Sequence, residues 1–181
     1  MILRHSYTRS SDTARAALRY YQLRPRGEDE PPRTFFGPDG TLSRAEAARL
    51  LDAHQTPGGR YLAHRLMLSP GDDERPEDLR AMTYRAMRSL ARERREDLAW
   101  VAVEHRNTDQ PHVHIVLAGG GGREGATREV RLDRADHARL KADAAAYCRL
   151  EARLWGDWDR ALAMAARDED TPRGARDQIE R

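Results

Sequence analysis

The chain has 181 residues, the size of one compact domain of roughly 100 to 200 residues. Hydrophobic residues make up 39% of it and charged residues 34%, and the net charge is only +2, so the composition favours a polar globular protein without itself indicating an anionic partner. No apolar run approaches the roughly 18 to 20 residues of a membrane span, and no signal peptide begins the chain, which predicts a cytoplasmic protein. Cys148 is the only cysteine, which excludes an internal disulfide and a cysteine-based zinc cluster.

The N-terminal segment is predicted to form a strand over residues 2 to 7 and then a helix. Ser10 or Ser11 supplies the cap, and Pro25 ends the helix just after two adjacent tyrosines, Tyr20 and Tyr21. Residues 1 to 27 contain a single acid, Asp12. Their basic residues are all arginines, namely Arg4, Arg9, Arg15, Arg19, Arg24 and Arg26. We therefore expect this end of the chain to face phosphates, with Arg15, Arg19 and Arg24 of the helix as DNA-binding residues.

The middle of the chain alternates short strands and helices. Residues 33 to 36 suggest a brief extended piece before a turn, and Ser43 with Glu46 has the capping-box pattern of a helix that runs to about residue 54. Residues 60 to 68 have strand character, with Leu62, Leu66 and Leu68 on one face. Pro76 then begins a helix to about residue 95 that has one apolar and one arginine-rich face.

Two apolar strands, residues 98 to 103 and 112 to 117, are separated by a short polar link and predict an antiparallel hairpin at the centre of a sheet. Residues 119 to 122, all glycine, are predicted to form a flexible loop, and residues 128 to 132 an edge strand. A long helix begins at Asp133, weakens at Gly156 and packs Trp155 and Trp158 against the body. Residues 168 to 181 are expected to be a flexible tail after a domain of residues 1 to 167.

Three histidines of the hairpin carry the strongest functional signal. His112 and His114 are two residues apart on a strand, so their rings project from the same face, and His105 ends the partner strand. Three buried imidazoles without a ligand would leave several ring nitrogens unpaired, at roughly 1 to 3 kcal/mol each. The pattern predicts a catalytic metal site, with Glu104 or Asp109 accepting a hydrogen bond from a ring nitrogen. The ion is divalent and its identity stays open among Mn, Mg and Zn.

A metal that polarises a phosphodiester needs a nucleophile, and the chain has no Cys/His pair and no G-x-S-x-G elbow to supply one. Water and tyrosine are the candidates. A tyrosine would hold the broken strand covalently and conserve the bond energy for rejoining. Tyr20 and Tyr21 lie on the arginine-rich helix, where they could be presented over the sheet.

These residues resemble a known family. His105 followed by Pro111-His112-Val113-His114 resembles the third motif of the HUH endonucleases, in the form found in mobilisation relaxases of the VirD2-like (MOB-P) group. The segment Leu18-Arg19-Tyr20-Tyr21 resembles that group's nucleophile motif, a tyrosine after a Leu-Arg or Ile-Arg pair. The match implies Tyr20 as the nucleophile and Tyr21 as the alternative. Ala17 stands where the family has a polar residue or a histidine.

The resemblance implies an α+β fold, a central antiparallel sheet flanked by helices, with a divalent ion on the three histidines. It also implies strand-specific nicking and rejoining of single-stranded DNA at a transfer origin in bacteria, through a 5′-phosphotyrosine. Relaxosome accessory proteins and a type IV secretion coupling protein are the implied partners. Because the chain ends soon after the nuclease core, a fragment of a longer relaxase or an unusually small member is expected.

Two alternatives stay open. A rolling-circle replication initiator or transposase of the same superfamily would share the histidines but carry its tyrosine on a later helix, which would make Tyr147 the nucleophile. A non-catalytic relaxosome DNA-binding protein would retain the histidines as a vestigial site.

Overall fold

The computed structural model describes residues 1–23, 33–56, 59–60, 62–71, 76–106, 108–121 and 127–169. The described elements are β1 (Ile2–Thr8), α1 (Ser11–Leu23), β2 (Phe35–Gly37), β3 (Gly40–Leu42), α2 (Arg44–Ala53), β4 (Ala63–Ser69), α3 (Leu79–Arg94), β5 (Asp97–His105), β6 (His112–Gly121), β7 (Thr127–Arg128) and α4 (Arg134–Glu169). The seven strands form one antiparallel sheet in the order β1-β4-β6-β5-β2-β3, and β7 pairs with β6. This confirms the predicted α+β class.

Helices cover both faces of the sheet, because the central strands are apolar on both sides. One face packs against α1 and α2 and includes Val103 and Val116, and we call it the α1 face. The other face packs against α3 and α4 and includes Ile115 and Leu117, and we call it the α4 face. Neighbouring residues on a strand point to opposite faces. This alternation decides which polar side chains meet the histidines.

Local signals explain most helix boundaries. The capping box of Ser43 and Glu46 is formed at the start of α2, and Asp78 caps α3 by accepting a hydrogen bond from Ala81 N. The C-terminal cap of α3 is Arg95, in the left-handed conformation at φ 53°. The predicted strand at residues 60 to 68 begins only at Ala63, so Leu62 precedes it, while Leu66 and Leu68 are buried as expected.

The glycine run was predicted as a loop, and this was wrong for its described residues, since β6 continues through Gly119 to Gly121. The cause is close packing rather than flexibility. A Cβ on Gly119 would lie 2.4 Å from the carbonyl oxygen of His54 at the end of α2, so only glycine allows the helix to approach the strand this closely. Gly122 lies outside the described residues.

The C-terminal helix also differs from the prediction. α4 passes through Gly156 without a break, since one glycine costs a helix only about 1 kcal/mol relative to alanine. Trp155 and Trp158 do not pack against the body; their exposed fractions are 47% and 59%. The predicted edge strand is only the two residues of β7. α4 continues to Glu169, past the predicted domain limit, and the rest of the tail lies outside the described residues, as do residues 24 to 32.

Candidate metal centre and nuclease site

The β5–β6 hairpin brings the three histidines together. His105 is paired directly with His112 in the sheet register, and His114 follows two residues later on the same face. The distances between ring centroids are 5.0 Å for His105 and His112, 4.7 Å for His105 and His114, and 4.8 Å for His112 and His114. One ring nitrogen from each residue lies within 4.8 Å of the other two. The predicted hairpin is thus formed, and its register produces a three-imidazole cluster on the α1 face.

Backbone carbonyls orient two of these rings. Nε2 of His105 donates to the carbonyl oxygen of Tyr21 at 3.0 Å, and Nδ1 of His112 donates to that of Gln110 at 2.9 Å. These hydrogen bonds leave the lone pairs on Nδ1 of His105, which is shielded from solvent, and on Nε2 of His112. Such contacts to the second ring nitrogen are typical of metal-binding histidines.

The donor set fits one divalent ion. Nε2 of His112 and Nε2 of His114 are 3.2 Å apart, close to the roughly 3.3 to 3.4 Å between two nitrogens that bind one ion at about 2.1 Å. His105 and His112 are buried and His114 is partly buried, so the rings cannot all be hydrated instead. Three neutral ligands leave an ion most of its charge and open coordination positions, with which it can polarise a phosphate oxygen.

Of the two adjacent tyrosines, the structure brings Tyr21 to the histidines. Its ring stacks on the ring of His114 at a centroid distance of 4.0 Å and an interplanar angle of 11°, and only 8% of the residue is exposed. Tyr20 points away from the sheet and is 58% exposed, although its ring is 5.9 Å from that of Tyr21. Burial raises the pKa of the Tyr21 hydroxyl, and the positive charge of Arg65 lowers it.

The spacing of residues on α1 distinguishes the buried tyrosine from the exposed one. The buried stripe of α1 consists of Ala14, Ala17, Leu18 and Tyr21, which is the i, i+3, i+4, i+7 pattern of a helix face that packs on a sheet. Tyr20 falls outside this stripe. The segment Leu18-Arg19-Tyr20-Tyr21 instead favours Tyr20 by its resemblance to a short motif, and the assignment of the nucleophile stays a prediction.

Glu104 does not accept a hydrogen bond from a histidine ring in this structure. It precedes His105 on β5 and so points to the opposite face, where its carboxylate binds Arg80 Nε at 2.5 Å and Arg106 Nε at 2.8 Å. The carbonyls of Tyr21 and Gln110 take the place predicted for a carboxylate. Asp109 is exposed in the link between β5 and β6, and its role at the site stays a prediction.

The predicted DNA-binding arginines of α1 lie in different settings. Arg15 binds both carboxylate oxygens of Asp52 on α2, at 3.3 and 2.6 Å, whereas Arg19 is exposed. Arg24 lies outside the described residues.

The alternative nucleophile Tyr147 is on α4, across the sheet from the histidines, and its hydroxyl contacts Glu151. Burial, reinforced by the Glu151 charge, raises the pKa of Tyr147 to about 12.

Comparison with protein families identifies this arrangement. Residues 40–145, more than half of the chain, match the model of the relaxase family described as MobA/VirD2-like, nuclease domain. The chain belongs to this relaxase family. The matched region contains the three histidines and Arg65, and it begins after the two tyrosines. No curated protein sequence matches the chain.

A solved structure supports the fold of this relaxase domain. It is the conjugative relaxase TrwC in complex with oriT DNA, in a copper-bound form. The two chains superpose with a TM-score of 0.55 at 17% sequence identity, over 86% of this chain and 71% of TrwC. At this identity the likeness concerns the fold alone.

Membership of the family establishes the class of activity. A relaxase nuclease domain is an HUH-type, metal-dependent endonuclease that nicks single-stranded DNA, and the cluster of His105, His112 and His114 could hold a divalent ion. Within the described residues, no helix is long and apolar enough to cross a membrane.

Proposed function

We propose that the chain nicks and rejoins one DNA strand at a transfer origin by attack of Tyr21 on a phosphodiester held at the His105, His112 and His114 site. The observation that carries this proposal is the stacking of the Tyr21 ring on the His114 ring at 4.0 Å. A nucleophile must lie within reach of the metal-polarised phosphate, and Tyr21 contacts a candidate metal ligand. Tyr20 is the alternative, since it is adjacent and accessible.

The proposed step is a transesterification. The hydroxyl oxygen of Tyr21 forms a bond to phosphorus, and the bond from phosphorus to the 3′ oxygen of the preceding nucleotide breaks. The phenolic proton leaves Tyr21 and the departing 3′ oxygen gains one, so protons balance. The products are a 5′-phosphotyrosine and a free 3′-hydroxyl, and attack by that hydroxyl reverses the step and reseals the strand. His105, His112 and His114 would hold a divalent ion, which would supply positive charge to stabilise the negative charge that develops on the phosphate.

The residues of the site divide the remaining tasks. The carbonyl oxygens of Tyr21 and Gln110 hold two histidine rings with their lone pairs directed to the cluster. Burial of the Tyr21 side chain raises the pKa of its hydroxyl. The exposed Arg19, together with Arg24, is proposed to contact the DNA backbone beyond the scissile phosphate.

The partners follow from the family. Single-stranded DNA at an origin of transfer is the substrate of relaxases. We further propose that this chain acts in the bacterial cytoplasm with relaxosome accessory proteins and a type IV secretion coupling protein, and that the bound ion is Mn, Mg or Zn.

A set of tyrosine variants tests the nucleophile. Tyr20→Phe, Tyr21→Phe and Tyr147→Phe are incubated with Mn²⁺ and with single-stranded oligonucleotides that tile the transfer origin of the encoding element, and covalent adducts are counted on denaturing gels. Adducts should disappear with Tyr21→Phe, which keeps the ring on His114 but has no hydroxyl, and persist with the other two. Loss with Tyr20→Phe alone would move the reaction to Tyr20. Loss with Tyr147→Phe alone would instead indicate the mechanism of a rolling-circle initiator.

Removal of a metal ligand separates the enzyme from a non-catalytic DNA-binding protein. His112→Ala lies at the start of β6, where the hairpin should tolerate it, so we expect a folded protein with weaker Mn²⁺ binding in equilibrium dialysis and no nicking. Nicking that continues in His112→Ala, or a wild-type protein that binds the origin DNA but neither binds nor requires a divalent ion, would contradict the proposed mechanism.

A further inference from the structure

A small cleft of about 160 Å³ opens beside the histidine cluster. Its walls include the side of the Tyr21 ring, His114 and two arginines, Arg4 of β1 and Arg65 of β4. The nucleophile proposed above, one metal ligand and two positive charges therefore share one cavity.

The position of Arg65 in the sheet is unusual for a charged residue. β4 lies between β1 and β6, and Arg65 is paired with Ser6 on one side and Val116 on the other. Since His114 is two residues before Val116, Arg65 is its diagonal neighbour on the α1 face. The flanking residues Leu66 and His64 point to the α4 face and are buried there.

The side chain of Arg65 is partly buried beside the histidine cluster. Its Nε atom is buried and makes no hydrogen bond to any of the described residues, and none of the ion pairs among them includes it. A buried donor left unsatisfied is costly, more so when it belongs to a charged group. Arg65 lines the same cleft as Tyr21 and His114.

We propose that Arg65 is a phosphate-binding residue of the nuclease site, whose guanidinium donates to a non-bridging oxygen of the phosphodiester that Tyr21 attacks. This inference rests on the proposed function, because the phosphate enters from the DNA substrate. The planar guanidinium suits a phosphate, since it offers parallel N–H donors and keeps its charge at all relevant pH values. Arg4, exposed at the mouth of the cleft, contributes charge to the same phosphate or to its neighbour.

The residue acts on the transition state as well as on binding. Charge builds up on the non-bridging oxygens as the bond from Tyr21 forms, and a fixed cation in a partly buried cleft stabilises this charge without reorganisation. Arg65 lies on the same face of the sheet as the three histidines, which would hold a divalent ion to supply further positive charge at the phosphate. This arrangement explains why an arginine occupies the middle of an interior strand.

The test uses the smallest DNA phosphodiester, the dinucleotide thymidylyl-(3′→5′)-thymidine, so that a single phosphate is probed. Its affinity for the metal-free protein is measured by saturation-transfer NMR on the thymine methyl protons. Its position is measured by the relaxation of the ³¹P signal in protein loaded with Mn²⁺. The variants are Arg65→Gln, Arg65→Lys and the control Arg128→Gln, an exposed arginine paired near the opposite end of β6 from His112. The methylphosphonate dinucleotide, which is uncharged, is the control ligand.

Arg65→Gln should weaken binding of the dinucleotide roughly ten-fold, the effect of one charge-assisted hydrogen bond, while Arg65→Lys recovers part of the loss. Arg128→Gln should stay within two-fold of wild type, and the methylphosphonate should bind wild type and Arg65→Gln equally. Binding by Arg65→Gln within two-fold of wild type, or an equal loss in Arg128→Gln, would overturn the assignment. So would undiminished binding of the methylphosphonate to wild type, or a ³¹P signal that Mn²⁺ does not relax in wild-type protein shown to hold the ion.

The binding measurements do not depend on nicking, which keeps the two proposals distinguishable. A protein that binds the dinucleotide through Arg65 but forms no covalent adduct contradicts the assigned nucleophile and leaves the phosphate subsite standing. A protein that forms the adduct through Tyr21 with equal efficiency in Arg65→Gln overturns the subsite alone.

Discussion

Replacement of Glu104 by glutamine would distinguish a structural carboxylate from one that serves the metal. Glu104 lies beside His105 in the sequence but faces away from it, and its side chain is only 16% exposed. Both carboxylate oxygens are used, one by Arg80 and one by Arg106. The two arginines extend the contact, since Arg80 also donates to Thr41 and Arg106 to the carbonyl oxygen of Glu77. The network ties the end of β5 to the start of α3 and to β3.

The magnitude follows from the exposure of the partners. A hydrogen bond to a charged group contributes roughly 1.5 to 3 kcal/mol when shielded. The side chains of Arg80 and Arg106 are 35% and 51% exposed, so solvent screening reduces both contributions. Glutamine keeps the size of the side chain and one oxygen acceptor. We therefore expect Glu104→Gln to lower the free energy of unfolding by about 1 to 2 kcal/mol.

The assay pairs urea unfolding with calorimetric titration of Mn²⁺. Removal of a carboxylate that orients a metal-bound histidine typically lowers the metal affinity 10-fold to 100-fold. Because Glu104 is on the α4 face, we expect an affinity within about two-fold of wild type. Asp109→Asn serves as the comparison, since Asp109 is the other carboxylate predicted to orient a ring. An unchanged stability together with a ten-fold loss of Mn²⁺ affinity in Glu104→Gln would refute this reasoning.

Two further predictions concern the scaffold. Gly119→Ala should destabilise the fold by about 1 to 3 kcal/mol in urea unfolding, because the new Cβ would overlap the backbone carbonyl of His54. In the control Gly121→Ala, the new Cβ would lie 3.9 Å from its nearest neighbour, so stability should change by less than about 0.5 kcal/mol. Equal effects of the two substitutions would contradict the close-packing argument. Burial, aided by the charges of His64 and His137, lowers the pKa of His5 to about 4. As the pH falls from 6.5 toward 4, His5 is therefore protonated in the unfolded chain before it is protonated in the folded protein, and stability is lost in that window. After allowance for the partial exposure of His5, the loss of stability is about 1 to 2 kcal/mol. The variant His5→Gln should therefore show a smaller difference in unfolding free energy between pH 7 and pH 5 than the wild type. An unchanged difference would contradict this assignment.

The hairpin could be predicted from the sequence because its apolar runs and its histidine spacing both indicate strands. Apolar runs on both sides of a short polar link require two adjacent buried strands, and the spacing of His112 and His114 then places both rings on one face. His105 joins them because the link is short enough to pair it with His112. A metal cluster built from one hairpin depends on few long-range contacts, so local sequence is sufficient to predict it.

The parts that were not predicted depend on contacts between distant segments. The contact of Tyr21 rather than Tyr20 with His114 depends on how α1 lies across β6, and the strand that contains Gly119 depends on the approach of α2. The exposure of Trp155 and Trp158 results from α4 extending beyond the body, which helical periodicity alone does not reveal. Arg65 had a signal that went unused. An arginine in the middle of an apolar strand points either to an ion pair or to a ligand.

Tyr21 contacts two of the three clustered histidines. Its ring stacks on His114, and its backbone carbonyl accepts the hydrogen bond that sets which nitrogen of His105 carries the lone pair. Because every residue has a backbone carbonyl, the orientation of His105 depends on the path of α1 and not on the side chain at position 21. The position of the hydroxyl, in contrast, depends on the Tyr21 side chain. A movement of the end of α1 that displaced Tyr21 would also disturb His105 and His114. For the proposed nucleophile, attack and metal binding would therefore be coupled through the docking of α1.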